Sequence, residues 1–326
     1  GEAVLPVVKG LEADLALRYD HYQSVGSTTN PKLSLRAQPM KALVLRGSVG
    51  TGFRAPSLPE LYSPEVSGAS PLIDDPFSGT SNQFPSVTGG NPALKPEKSR
   101  QFSLGLVAEP MPDLSFSADY FHIRVDDPVL TLPSQLIVNR AYAGDAYFLS
   151  LITLTPDGSA LASFDNRLRN GGRMEVSGVD VDLKWRIAKW DARTLTAQLA
   201  GSWMGQYDLT DPAGNKQASV GKSVDESNAP LNAVQNGGVI FRWRHALTLA
   251  YAEPTWGLAL TQNFQSAYDD AQPVNDYWNG VPFQPHHVGA FATYDLHADY
   301  TGFKDLKVGL GVKNLLDTNP PRVAGN

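Results

Sequence analysis

Along most of this chain, side chains alternate between apolar and polar with a period of two. That periodicity dictates extended strands with two unlike faces. Leu11, Ala13, Leu15, Leu17 and Tyr19 alternate with Glu12, Asp14, Ala16, Arg18 and Asp20. Leu33, Leu35 and Ala37 repeat the pattern, as do Leu43, Leu45, Gly47, Val49, Thr51 and Phe53. Phe102 to Ala108 and Leu114 to Tyr120 follow, then Val179, Val181, Leu183, Trp185 and Ile187 against Gly178, Asp180, Asp182, Lys184 and Arg186. Leu195 to Trp203, Trp243 to Tyr251, Trp256 to Phe264, Ala292 to Tyr300 and Leu306 to Val312 complete the series. These make about eleven strands of roughly 9–13 residues, close to the ~9–11 a tilted strand needs to cross a bilayer. After Tyr120 the phase slips onto Phe121 and Ile123. The slip marks either a bulge or the point where the strand leaves a membrane.

The connections are asymmetric. Short turns at Glu109–Asp113, Ala188–Arg193, Ala252–Pro254 and Thr301–Asp305 alternate with long segments at Ala55–Pro96, Asp126–Gly172, Asp208–Gly238 and Ser266–Gly289. Short turns on one side and long loops on the other mark an antiparallel transmembrane β-barrel, with turns in the periplasm and loops outside. Aromatic residues gather at strand ends, namely Tyr19, Phe53, Tyr120, Trp185, Trp203, Trp243, Tyr251, Trp256 and Tyr300. Such rings favour the membrane interface, half buried with the polar tip wet. A soluble β-sandwich or propeller shares the alternation, and alternation alone does not say which face points inward. It leaves the alternating loop lengths unexplained.

Composition removes other classes. No run approaches the ~18 apolar residues of a membrane helix. The most lipophilic stretch, Ala146–Leu154, is broken by Ser150 and Thr153. The chain has no cysteine, which excludes disulfide scaffolds and thiolate chemistry. Lys and Arg number 27 against 33 Asp and Glu, a net charge of −6 that disfavours nucleic acid. A mean hydropathy of −0.24 fits an alternating barrel as well as a soluble chain. No catalytic elbow, zincin helix or phosphate loop is present, so the chain does not read as an enzyme.

Four segments carry a family resemblance. Gly50-Thr51-Gly52-Phe53-Arg54-Ala55-Pro56-Ser57 resembles the GFRAPS-type segment of TonB-dependent outer-membrane receptors. Asn91-Pro92-Ala93-Leu94-Lys95-Pro96-Glu97 resembles their NPxLKPE segment. Ser177-Gly178-Val179-Asp180-Val181 and Val312-Lys313-Asn314-Leu315-Leu316-Asp317 are similar to two further strand-end motifs. Four motifs in order cover essentially the whole chain. The resemblance implies a barrel of roughly 22 strands, of which residues 1–326 supply the C-terminal half. The plug domain, signal peptide, TonB box and final strand fall outside them. It implies active uptake of a scarce bulky solute across the outer membrane of a Gram-negative bacterium, a ferric siderophore foremost. The implied partners are TonB with its ExbB/ExbD motor, outer-membrane lipid and an extracellular small molecule, with the receptor a monomer. A passive porin-type channel and a soluble β-rich binding protein are the alternatives.

Arg46 and Arg54 share the polar face of one strand and are candidate lumen contacts. Tyr62, Tyr268, Tyr277 and Trp278 are loop candidates for stacking on a ligand ring. Gly52, Phe53, Arg54, Pro56, Asn91, Pro92, Asn314 and Asp317 are expected to shape the barrel, with prolines ending strand pairing and Asn314 and Asp317 turning the chain. No metal site or cofactor is expected. His286 and His287 point to opposite faces in extended chain, and Asp269, Asp270, Asn275 and Asp276 match no calcium loop.

Haem receptors of this family place a histidine between the two loop motifs, as an axial ligand to the iron. The stretch from Ala55 to Gly90 holds no histidine, cysteine or methionine, leaving Tyr62 as the conventional donor. Haem titration of the intact receptor is therefore expected to give no saturable Soret shift; a tight shift abolished by Tyr62→Ala would overturn the expectation.

Overall fold

The computed structural model describes residues 1–22, 26–224, 238–271 and 284–323. Twelve strands follow one another across a single antiparallel sheet. They are β1 (Glu2–Val8), β2 (Leu11–Tyr22), β3 (Gly26–Met40), β4 (Leu43–Arg54), β5 (Glu97–Met111) and β6 (Leu114–Asp126). Then come β7 (Arg173–Trp190), β8 (Arg193–Thr210), β9 (Trp243–Ala252), β10 (Trp256–Gln265), β11 (Phe291–Phe303) and β12 (Leu306–Val312). A thirteenth, Lys216–Ala218, hangs on the upper end of β8. β1 and β12 do not pair with each other, so the sheet is part of a barrel and not a closed one.

The strand that alternation misses is β1. Val4, Leu5, Val7 and Val8 put apolar residues on both faces, and Pro6 interrupts the run. The register shifts between Pro6 and Val8. An edge position tolerates the proline because the missing N–H leaves no buried acceptor unpaired.

Tight turns gather at one end of the sheet, after β1, β3, β5, β7, β9 and β11. Asp191 and Asp305 hold two of them in left-handed backbone, at φ 54° and 58°, a conformation that aspartate tolerates better than most residues. The long connections 55–96, 127–172, 211–242 and 266–290 all leave from the other end.

Register assigns the faces. Arg46 pairs with Gly105, Gly105 with Asp119, Asp119 with Asp180 and Asp180 with Ser202, giving one continuous polar row. The opposite face is apolar and bare: Leu17 is 54% exposed, Leu104 58% and Leu310 69%. Aromatic rings edge this face near the turns, where Tyr251 lies 6.0 Å from Trp190 and 5.2 Å from Trp256. Among the described residues no helix is long and apolar enough to cross a membrane. The sheet is inside out relative to a soluble protein, as lipid demands.

β6 explains the apparent phase slip. It pairs with β7 without a break from Leu114 to Asp126. What changes is polarity. Up to Tyr120 the apolar residues face outward; beyond it Phe121, Ile123 and Val125 face inward, and His122, Arg124 and Asp126 face outward. Across β7, Gly178 lacks the side chain that would meet Phe121; a Cβ there would lie 2.8 Å from the Phe121 ring. The bulge sits one strand further on. Ser177 and Gly178 oppose Gln206 and Met204, leaving Gly205 unpaired. It turns Tyr207 and Leu209 inward.

These inward apolar residues lie beneath a cap made by the first two long loops. α1 (Leu58–Tyr62) buries Leu61 in a separate cluster with Leu94 and Val129, while α2 (Ser134–Tyr142) and α3 (Ala146–Leu149) pack with a four-stranded sheet of Val66–Ala69, Pro85–Thr88, Ile152–Leu154 and Leu161–Asp165. Ile73, Leu132, Ile137, Val138, Phe148 and Phe164 form its core, with Leu209 of β8 packed against it. Ile137, Val138 and Phe148 are 0% exposed. The lipophilic stretch Ala146–Leu154 thus belongs to the cap. Packed helix and sheet replace the unstructured loops that alternation leaves between strands.

The face assignment predicts two-sided tolerance along β7. Val181→Arg or Leu183→Arg puts a charge on the bare face and is expected to cost roughly 2–4 kcal/mol near a bilayer midplane. Asp182→Arg, on the polar face, is expected to leave assembly intact. Heat-modifiable migration of the membrane-inserted protein reads both; greater damage from Asp182→Arg would invert the faces.

Candidate functional site

Two adjoining regions of the inner face hold the sequence-predicted residues. The first is the strand wall. Arg46 on β4 donates from Nε and Nη2 to the two carboxylate oxygens of Asp119 on β6, at 2.7 and 2.6 Å. β5 runs between them, and the residue in the way is Gly105. A Cβ there would stand 1.9 Å from Asp119 Oδ1 and 3.1 Å from Arg46 Nε. Glycine is required for a bidentate bridge that reaches past a whole strand. One row toward the loops, Ser48 and Ser103 hydroxyls meet at 2.8 Å.

Beside this bridge the wall opens into a recess of about 800 Å³. Asp119, Asp180, Asp182, Ser202, Arg244 and Asn263 line it. The Ser202 hydroxyl donates to Asp180, and Asn263 Nδ2 donates to Asp295 at 2.9 Å. Asp182 has no partner among the described residues, and the Arg244 guanidinium lies 5.9 Å over the Phe241 ring. The recess offers charged and amide groups of both signs to a polar occupant.

The second region is the junction of strand and cap, organised by Arg54. Its Nε and Nη2 bind the Glu97 carboxylate at 2.8 and 2.6 Å, across the β4–β5 pair. Its Nη1 binds Glu60 of α1 at 2.9 and 3.0 Å. Glu97 also accepts the Val129 N–H at 2.7 Å, which ties in the second long loop. α1 starts at Ser57, whose N–H donates to Glu60 at 2.6 Å while its hydroxyl accepts the Glu60 N–H. The Ser57-x-x-Glu60 spacing is the capping-box signal that strand periodicity passes over. Burial pushes the Glu60 carboxyl up, but hydrogen bonds from Arg54 and Ser57 outweigh it and hold the group below the usual carboxylate range.

The Asn91-Pro92 motif completes the junction. Asn91 donates to the Leu168 carbonyl at 2.9 Å, and its side-chain oxygen accepts the Ala93 N–H at 2.9 Å. Pro56 is buried, and Pro92 is exposed. Gly52 faces Ser99, and Phe53 contacts the Tyr22 ring at 5.6 Å. At the far edge Asn314, at φ 49°, donates to the Thr318 carbonyl and accepts the Thr318 N–H, both at 3.0 Å, while the Asp317 N–H donates to the Asn314 carbonyl at 2.8 Å.

The structure separates the remaining candidates. Tyr62 ends α1 and is 62% exposed, with Leu58 one turn earlier at 71%. Tyr268 packs edge-on to Phe241 at 5.6 Å, and burial with the nearby Asp270 charge raises its phenol above the usual range. Tyr277, Trp278, Asn275 and Asp276 lie outside the described residues. His287 binds Asp269 at 3.0 Å while His286 meets the Arg322 carbonyl, and no cluster of metal-ligating residues occurs among the described residues. Asp119, Gly105, Asp182 and Arg244 were not foreseen as site residues, because strand periodicity does not give the register at which neighbouring strands pair.

Comparison with known proteins follows the fold. The "TonB dependent receptor-like, beta-barrel" family model matches residues 1–315. No curated protein matches the sequence. The siderophore receptor PirA from Acinetobacter baumannii superposes with a TM-score of 0.63 at 16% identity, over 97% of this chain and 41% of that one. A variant of the ferric enterobactin receptor PfeA from Pseudomonas aeruginosa gives 0.64 at 18%, over 97% and 39%. The FrpB iron transporter from Neisseria meningitidis gives 0.60 at 15%, over 99% and 41%. The chain spans about two fifths of the length of these proteins.

The Glu60 contacts make the cap junction acid-sensitive. A carboxyl whose folded pKa is lowered contributes stability above its ordinary range, and that contribution is lost as pH falls through the lowered value. Amide exchange in α1 is expected to accelerate as pH drops below the carboxylate range, relative to the intrinsic rate. In Glu60→Gln, protection should be lower at neutral pH and should lose this added acid dependence; an unchanged acid response in that variant would refute the assignment.

Proposed function

The chain belongs to the TonB-dependent receptor β-barrel family, and from that premise we propose that it forms the C-terminal half of the barrel of an outer-membrane receptor taking up a ferric siderophore. Receptors of this family are transporters and not enzymes. The family match over residues 1–315, on a sheet with a bare apolar outer face and a polar inner wall, carries the reading. In it the apolar face meets outer-membrane lipid, the turn end faces the periplasm and the capped end faces the medium.

A ferric siderophore brings its own iron ligands, so the protein needs only to hold an organic shell. Tyr62 and Leu58 present an exposed aromatic and aliphatic pair at the cap, and Tyr268 presents a ring from the β10–β11 loop. These are the proposed contacts, with Tyr277 and Trp278 from the same loop. The recess beside Asp182 and Arg244 supplies polar groups along the inner wall. Arg46 and Arg54 act by positioning, since their guanidinium groups are already engaged by carboxylates. The energy is proposed to come from TonB and its ExbB/ExbD motor, acting on a monomeric receptor through a plug region. The likeness of the fold to PirA, a siderophore receptor, PfeA, a ferric enterobactin receptor, and FrpB, an iron transporter, supports the substrate class.

Uptake of radio-iron as a siderophore complex by cells carrying the intact receptor tests the reading. Uptake is expected under iron limitation and is expected to stop when the proton gradient is collapsed. Removing one stacking ring costs about 0.5–1.5 kcal/mol, so Tyr62→Ala should weaken siderophore binding roughly 2- to 12-fold. Saturable uptake that survives loss of the proton gradient would instead make the barrel a passive channel.

A further inference from the structure

Above the polarity change in β6, the outward face of β5 to β8 becomes charged. Two register rows define it. The first runs Thr51, Arg100, Arg124, Glu175, Asp208, and the second runs Phe53, Lys98, Asp126, Arg173, Thr210. Lys216, on the short strand paired with β8, joins them by binding Asp208 at 2.7 Å. The zone therefore holds five cations, Lys98, Arg100, Arg124, Arg173 and Lys216, against the three anions Asp126, Glu175 and Asp208. It is net positive on a chain whose overall charge is −6.

The internal pairing leaves cations over. Asp126 takes both Arg124, at 2.9 Å, and Arg173, at 3.3 Å. Asp208 takes Lys216. Lys98 and Arg100 have no ion pair among the described residues, and both are exposed. Arg100 is the direct cross-strand partner of Arg124. Like charges directly opposite each other destabilise a sheet unless an anion sits between them. The next outward row toward the turns runs Phe102, His122, Ser177 and Gln206, and the one after it Leu104, Tyr120, Val179 and Trp203, with the Phe102 and Tyr120 rings 6.3 Å apart. The unpaired Arg100 guanidinium and Lys98 ammonium thus stand one row above the apolar, aromatic-edged band.

Resting on the reading that this band lies in the outer membrane, we propose that Lys98, Arg100 and Arg124 form a docking site for the phosphate groups of outer-leaflet lipid. Height, charge and ligand geometry select that occupant. A phosphate at the top of an acyl-chain layer meets these residues when the chains meet Leu104 and Tyr120. The guanidinium fork matches phosphate oxygens two at a time. Each cation near an anionic lipid surface adds attraction that salt screens. The site needs no cavity, because the lipid tails supply the second anchor along the bare face.

The test uses the intact receptor extracted in a zwitterionic detergent-like environment and titrated with three probes: a bis-phosphorylated glycolipid, phosphatidylcholine, and inorganic phosphate at equal phosphate concentration. Native mass spectrometry counts the lipids retained. The glycolipid is expected to be retained at least fivefold more than phosphatidylcholine, inorganic phosphate is not expected to displace it, and retention should fall as salt rises. The double variant Lys98→Ala with Arg100→Ala is expected to lose that preference. Glu175→Gln removes an anion from the row of Arg124 and should increase retention, which keeps the test informative if the double variant fails to assemble. Equal retention by the double variant, equal retention of phosphatidylcholine, or displacement by inorganic phosphate would each overturn the proposal. A receptor that imports siderophore yet shows any of these results would lose the docking site alone; one that leaves the membrane without detergent would lose the membrane reading itself.

Discussion

Unpaired backbone N–H and C=O groups cost several kcal/mol each in hydrocarbon, and the rest of this architecture follows from that penalty. Twelve strands satisfy one another along a continuous ladder, broken at a few bulges and open along the two edge strands. Because the ladder uses the backbone groups of the inner strands, side chains there are free to sort by solvent. They place leucine and tryptophan outward and aspartate and arginine inward. Where the strands rise out of the apolar band the demand reverses, and so do the faces. The chain then does what soluble proteins do and buries Ile137, Val138 and Phe148 in a packed cap.

Much of this was readable from residue order. β4 was legible to its terminal residues, Leu43 and Arg54, because alternation there is unbroken and a proline follows closely. The long and short connections were legible from the spacing of turn residues. β1 was not, because its apolar residues fall on both faces. The slip after Tyr120 was visible but ambiguous: a polarity change and a bulge leave the same trace in one strand, and only the pairing with β7 distinguishes them. The cap was hidden because its core joins residues from two loops, such as Ile73 and Phe164, whose proximity no local period encodes.

The inner wall shows the same limit at the level of single side chains. Arg46 and Arg54 could be placed on one face from sequence, yet their partners lie 73 and 43 residues away, at Asp119 and Glu97. The motifs that identify the family therefore also build its junctions. Arg54 and Asn91 together fasten α1, the start of β5 and the second loop into one unit at the mouth. The proposed ligand contacts at Leu58 and Tyr62 sit on that unit, so their position depends on side chains that touch no ligand.

The reversal of faces along β6 and β7 also has a mechanical meaning. A strand that is apolar outward below Tyr120 and cationic outward above it carries its own waterline. Sliding the barrel one residue pair toward its turn end in a bilayer would draw Arg124, Arg100 and their neighbours toward hydrocarbon. The penalty rises from about 0–1 kcal/mol per cation at the interface to about 2–4 kcal/mol at the midplane. Sliding it outward would lift leucines and tryptophans into water. In the proposed membrane setting, an axial load on the barrel would thus meet a restoring force on each side of one depth, and the sheet would serve as an anchored frame.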